Sequence, residues 1–207
     1  MKFPTKKYLN IKTFSNDYFN NLTKSTKLID LNSLDKICQI IEKKYKDKKR
    51  KVFVCGNGGS AALANHYACD HQKLLFETKK IKPKILSLCS NIPLISAIAN
   101  DNGYEKIFED QLKYNSKPLD LLIIISSSGN SKNIINALKW ANKKNITTIS
   151  FTGFNGGIAK KIANYNIHVP IFNYGIVEAT HHSIMNIISQ YIKNKLLSNN
   201  QIKKNIF

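Results

Sequence analysis

The 207-residue chain reads as an α/β protein built on a parallel sheet buried on both faces. Two observations predict this. From Lys51 onward, short and largely apolar runs, KVFVC, KILSL, DLLIII, ITTIS and IHV, alternate with segments of helical periodicity. Glycine- and serine-rich turns follow three of those runs, at the carboxyl ends of the expected strands, where such sheets bind ligands. The length suits one compact domain, and no internal repeat, heptad array or Pro/Gly-rich linker divides it. The expected organisation is a helical extension over 1–50, the sheet domain over 51–197 and a basic tail over 198–207.

Taken in order, residues 7–25 and 31–47 carry apolar positions at helical spacing, with Leu31, Leu34, Ile37, Ile40 and Ile41 as the second stripe. KVFVC then leads through Gly56-Asn57-Gly58-Gly59-Ser60-Ala61 into a helix. Glycines there let the backbone approach a ligand closely, and Ser60 is a candidate cap for a helix whose first N–H groups attract an anion. The turn has neither the lysine of GxxxxGK[ST] nor the spacing of GxGxxG, so no nucleotide cofactor is expected. After DLLIII, Ser126-Ser127-Ser128-Gly129-Asn130-Ser131 opens a second helix. Its hydroxyls are neutral donors able to wrap a phosphate. A third loop, Thr152-Gly153-Phe154-Asn155-Gly156-Gly157, either lines the same crevice or serves only the turn.

Composition excludes several classes. A hydrophobic fraction of 43% rules out wholesale disorder, and no apolar run approaches the roughly 20 residues of a membrane-spanning helix. The N-terminal MKFPTKKYLNIKTF lacks the apolar core of a secretory signal, so a cytoplasmic protein without a membrane partner is expected. Cys38, Cys55, Cys69 and Cys89 show no CxxC spacing, which argues against a zinc ribbon or a disulfide framework. The net charge of +19 is almost wholly lysine, with Arg50 the sole arginine. Proteins built to grip phosphate backbones lean on arginine forks, so nucleic acid is not the expected partner.

The motifs GNGGSAALANH, ISSSGNSKNI, AIANDNGYE, SFTGFNGG and VEATHHSIMN together resemble sugar isomerase (SIS) domains and, within them, the phosphoheptose isomerase-like branch. The likeness runs from about Lys51 to Tyr191, with the motifs in family order. It implies a flavodoxin-like three-layer α/β sandwich, a homotetramer, and a serine-rich loop that holds the phosphate of a phosphorylated sugar. Asn57, Gly58, Gly59, Ser60, Asp101, Ser126, Ser127, Ser128, Asn130 and Ser131 become the expected substrate-binding residues. The family's reaction converts sedoheptulose 7-phosphate to an aldose heptose 7-phosphate for lipopolysaccharide or capsule assembly.

Moving a carbonyl between C1 and C2 needs a base to shuttle a proton and a group to stabilise the enediolate oxygen. His66 and Asp70 stand at i and i+4 on the helix after the first turn, and the long C-terminal helix carries Glu178, His181, His182 and Asn186. The resemblance sets His66 at the family His, Asp70 at the family Glu, Glu178 at the Gln and Asn186 at the second His. Those positions form a catalytic pair and, in some members, a zinc site, for which His66, Asp70 and Glu178 are the expected ligands. His71 and Cys69, beside these positions, are assigned to packing or surface.

Asn186 has no proton to exchange near neutral pH, so the base is expected to be Glu178 first, as a carboxylate partly desolvated beside His66 and Asp70. His182, on the face shared by Glu178 and Asn186, comes second. His181, turned about 100° from it, is expected to face a neighbouring subunit or loop. SIS relatives that associate with the bacterial replication initiator also carry Asn there, so a non-catalytic binding or adaptor protein is the alternative reading.

Overall fold

Five strands form one parallel sheet in the computed structural model, which describes residues 1–205 and 207. They are β1 (Val52–Gly56), β2 (Ile85–Ser87), β3 (Leu121–Ser126), β4 (Thr147–Gly153) and β5 (Tyr165–Val169), one on each expected apolar run. The spatial order is β2-β1-β3-β4-β5, the flavodoxin-like order. Val52 pairs with Leu121 and Leu121 with Thr147, so Gly56 and Ser126 finish side by side at the carboxyl edge.

Nine helices surround the sheet: α1 (Ile11–Lys27), α2 (Leu31–Lys46), α3 (Gly59–Phe76), α4 (Ile92–Asn102), α5 (Ile107–Asn115), α6 (Lys132–Lys143), α7 (Gly157–Ile162), α8 (Tyr174–Leu196) and α9 (Asn199–Lys204), among the described residues. Strand alternation divides the core in two. Val52, Val54, Leu121, Ile123 and Ile125 pack with α2, α3 and α8, whereas Phe53, Cys55, Leu122 and Ile124 face α4, α5, α6 and α7. With helices on both sides, β3 has no solvent face, which is why LLIII is uninterrupted.

The N-terminal residues belong to this core. Ile37, Ile41 and Tyr45 of α2 are buried in the same cluster as β1 and β3, and Phe3 joins them. Lys2 bridges Phe172, beyond β5. The first helix begins at Ile11, later than its apolar spacing suggests, because the Asn10 side chain accepts the Thr13 N–H at 3.0 Å and sets the cap there. The basic tail likewise contains α9, opened by a reciprocal Ser198–Gln201 capping box.

Candidate active site

The strands β1 and β3 are neighbours, yet α3 leaves β1 on one face of the sheet and α6 leaves β3 on the other. A crevice opens between two such departing chains. It is a cleft of about 330 Å³ lined by Asn57, Gly58, Gly59 and Ser60, by Ser126, Ser127, Ser128 and Ser131, and by Tyr174 and Glu178 of α8. Both glycine/serine turns therefore meet in one place. Among the described residues Glu178 is its only charged lining residue, and no lysine or arginine contributes to the wall.

Neither helix entering the cleft is closed by a side chain. Gly58, not Ser60, occupies the cap position of α3, at φ +53°, and Ser60 lies buried in the first turn. Ser131 caps α6 through its backbone only, and its hydroxyl takes no part in the cap. Within the serine loop, the Gly129 N–H donates to Ser126 Oγ at 3.1 Å and the Asn130 N–H to Ser128 Oγ at 3.3 Å. Ser127 Oγ is buried with no partner among the described residues, an arrangement that a phosphate oxygen would satisfy.

Neighbouring parts hold this loop in shape. The Gly153 N–H donates to Ser127 O at 2.9 Å, and a Cβ on Gly129, at φ +66°, would lie 2.1 Å from Gly156 O. The third loop thus buttresses the serine loop from behind, and residues 152–157 are absent from the lining. Asn130 turns the same way: its Oδ1 accepts the Ile158 N–H at 3.1 Å, outside the cleft. Asp101 is exposed on α4, where its Oδ1 accepts from Asn100 Nδ2 at 2.8 Å. The structure therefore places neither Asn130 nor Asp101 on the cleft wall.

Three contributors escape sequence reasoning. Asn57 and Asn133 exchange two amide hydrogen bonds of 2.9 Å, stitching the two loops together, and Tyr104 Oη donates to Asn57 Oδ1 at 3.1 Å. Tyr174 lines the cleft from the first turn of α8. Asn133 lies within the SSSGNSKN run, and that proximity was its only signal; the two tyrosines arrive from remote segments.

The titratable groups divide into two sets. Glu178 lies over Gly59, where an added Cβ would stand 2.7 Å from both carboxylate oxygens, and it makes no ion pair with His66 or His182. His66 Nε2 instead meets Asp70 Oδ2 at 2.9 Å, and the His182 ring stands edge-on to His66 at 4.5 Å between centroids. His182 Nε2 is buried with no partner among the described residues. Burial, then the neighbouring His66, holds the His182 pKa below the usual imidazole value, against the opposing pull of Asp70.

His181 does not stand where it is expected to. It is fully buried, with Nε2 at 3.2 Å from Thr152 O and its ring against Phe151, facing the sheet and not a subunit or loop. Desolvation pushes its pKa down to about 4, and it has no surface exposed to the cleft. His71 is buried too, bonded to Tyr45 and to the Met185 carbonyl.

The trio expected to hold zinc is split. His66 and Asp70 engage each other, Glu178 stands over Gly59, and Asn186 lines a separate polar groove with Asp70. No three His, Cys, Asp or Glu side chains among the described residues are placed to hold a metal ion. The arrangement does not fit a zinc ion, whose tetrahedral sites draw their ligands to one point.

A family model described as the SIS domain matches residues 17–153. A phosphoheptose isomerase of Nitratidesulfovibrio vulgaris is 35% identical over 72% of this chain and 72% of its own length. That of Clostridium acetobutylicum is 37% identical over 80% and 84% of the two chains. Among solved structures, the phosphoheptose isomerase of Neisseria gonorrhoeae superposes with a TM-score of 0.81 at 23% identity, covering 89% of this chain and all of the other (100%). That from Francisella tularensis gives 0.79 at 24% identity over 88% and 96%. These two likenesses are of fold.

Proposed function

The chain belongs to the SIS-domain family, in its phosphoheptose isomerase branch, and from that premise we propose how it interconverts sedoheptulose 7-phosphate and an aldose heptose 7-phosphate. The product would enter surface-polysaccharide heptose synthesis. The observation that carries the reading is the convergence of both phosphate-type turns and Glu178 on one cleft.

The phosphate sits at the open N-terminus of α6, taking hydrogen bonds from Ser127, Ser128 and Ser131 and from backbone N–H groups. This anchoring directs the other end of the sugar toward α3 and α8. Glu178 removes a proton from C1 of the ketose; the electron pair forms the C1–C2 enediol bond, and the C2 carbonyl becomes an oxyanion. Donors at the start of α3 stabilise that oxyanion. Return of the proton to C2, with transfer of the hydroxyl proton from O1 to O2, leaves the aldehyde at C1 and no net change of atoms. His182, unpartnered at Nε2, is the second choice for moving the proton between oxygens.

One observation favours the alternative of a sugar-phosphate-binding adaptor: Asn186 supplies no acid or base where the family pattern has histidine. Incubation with sedoheptulose 7-phosphate, followed by NMR for the aldose, separates the two, since an adaptor binds without turnover.

We further propose self-association to a tetramer. Support comes from Leu31 at 70% exposure, Ile187 at 52% and Tyr191 at 48%, which surround an apolar groove between α2 and α8. No helix among the described residues is long and apolar enough to cross a membrane.

A further inference from the structure

Away from the cleft, three polar side chains meet inside the larger apolar core. Tyr45 of α2, Tyr67 of α3 and His71 of α3 are at most 2% exposed. Tyr45 Oη lies 2.6 Å from Tyr67 Oη and 2.8 Å from His71 Nδ1, and His71 Nε2 lies 3.1 Å from the Met185 carbonyl of α8. The Tyr67 and His71 rings stack at 3.7 Å.

The chain of bonds has one direction. A carbonyl only accepts, so His71 Nε2 carries the proton and donates to Met185; Nδ1 then accepts from Tyr45, which in turn accepts from Tyr67. Desolvation pushes the His71 pKa down to about 3, which keeps the ring neutral and Nδ1 able to accept.

We propose that His71 is a positioning residue: by joining Tyr45, Tyr67 and the Met185 carbonyl it fixes the register of α3 against α8, and with it the geometry of His66 and Asp70 relative to His182. The placement carries the inference. His71 directly follows Asp70, and Met185 lies between His182 and Asn186, so the tether crosses the helix pair at the level of the proton-bearing rim. Apolar packing tolerates small slips of one helix along another. A slip here breaks a directional chain and leaves buried polar groups unmet, so only one register satisfies it. His71 itself lies outside the cleft lining and acts through its neighbours.

The inference rests on the isomerase reading, and its test keeps the two apart. His71→Leu removes both bonds, and His71→Gln restores a donor toward Met185. Turnover of sedoheptulose 7-phosphate by His71→Leu should fall about 10- to 100-fold with KM within about twofold, the size expected when reacting groups are misplaced by a fraction of an ångström to one ångström. His71→Gln should recover most of that loss. The imidazole NMR shifts of His66 and His182 should move in the Leu variant and return in the Gln variant. A folded His71→Leu protein with unchanged kcat and unmoved shifts overturns the proposal. Should that variant fail to fold, His71→Asn, whose shorter amide can still meet Tyr45 but does not reach the Met185 carbonyl, carries the test: a lowered kcat and displaced His66 and His182 shifts support it, and wild-type values for both overturn it. Absence of turnover in the wild-type protein would instead sink the isomerase reading, and the NMR shifts alone would then decide the tether.

Discussion

The carboxylate of Glu178 lies directly over Gly59, so close that a Cβ at residue 59 would stand 2.7 Å from both of its oxygens. The absence of a side chain at 59 thereby sets where the proposed base stands. Glu178→Gln should lower turnover by roughly 10² to 10⁴ while leaving sugar-phosphate binding nearly intact. Gly59→Ala should act on the same group by swinging the carboxylate aside, at little cost to folding, because the displaced atoms end a flexible side chain. The double variant should then be no slower than Glu178→Gln alone. Independent, multiplying losses in steady-state kinetics would show that Gly59 does not act through Glu178.

Phosphate recognition is assigned to neutral hydroxyls. Replacing Ser128 and Ser131 together with Ala should weaken sugar-phosphate binding by roughly 2–4 kcal/mol, at about 1–2 for each charge-assisted bond. Ser127→Ala should weaken it as well without destabilising the free protein, since its hydroxyl has no partner among the described residues to lose. Calorimetric titration measures both, and unchanged affinity would remove the serine loop from the binding site.

Two buried imidazoles make stability depend on pH. The pKa values of His71 and His181, pushed by burial to about 3 and about 4, lie below the unfolded value near 6.5. Between those limits the unfolded chain binds more protons than the folded one, so unfolding free energy rises with pH. Their contribution is complete above pH ~6.5 and is lost as pH falls toward the folded values, by up to about 1.4 kcal/mol per pH unit for each histidine. Urea unfolding at pH 7.5, 6 and 5 should show progressive loss, and a flat profile would contradict the neutral, buried assignment.

Self-association is expected through the groove flanked by Leu31, Ile187 and Tyr191. The wild-type protein should exceed its 23.5 kDa chain mass in light scattering, and Ile187→Asp with Tyr191→Asp should return it to that mass with its circular dichroism unchanged. A wild-type monomer at micromolar concentration would refute the tetramer.

The sheet was legible because burial on both faces writes itself into the chain as uninterrupted apolar runs, LLIII of β3 most plainly. The serine loop was legible for a similar reason: its composition suits a helix start and, in the proposed reading, an anion at once. Asn57 and Asn133 were not readable as a pair, because their bonds depend on β1 and β3 becoming neighbours while their helices part. His181 is the instructive error. Val177, Ile184 and Ile188 are buried on α8, and position 181 falls in that same stripe, so helical spacing already turned it toward the sheet. The expected neighbours of Glu178 are His66 and Asp70, but its side chain crosses to the start of α3, a contact made possible by the missing side chain of Gly59.

The cleft proposed to hold the anion has no cationic side chain on its wall among the described residues, on a molecule whose net charge is +19. On that proposal capture and retention are separated. The diffuse field of many distant lysines draws a dianion in over a range that dissolved ions cut to about 8 Å at physiological ionic strength. Once seated, the ligand is held by short contacts that dissolved ions barely reach. Added salt should therefore slow encounter while leaving residence time almost untouched, so that stopped-flow traces between about 50 and 500 mM NaCl show a falling kon and a constant koff.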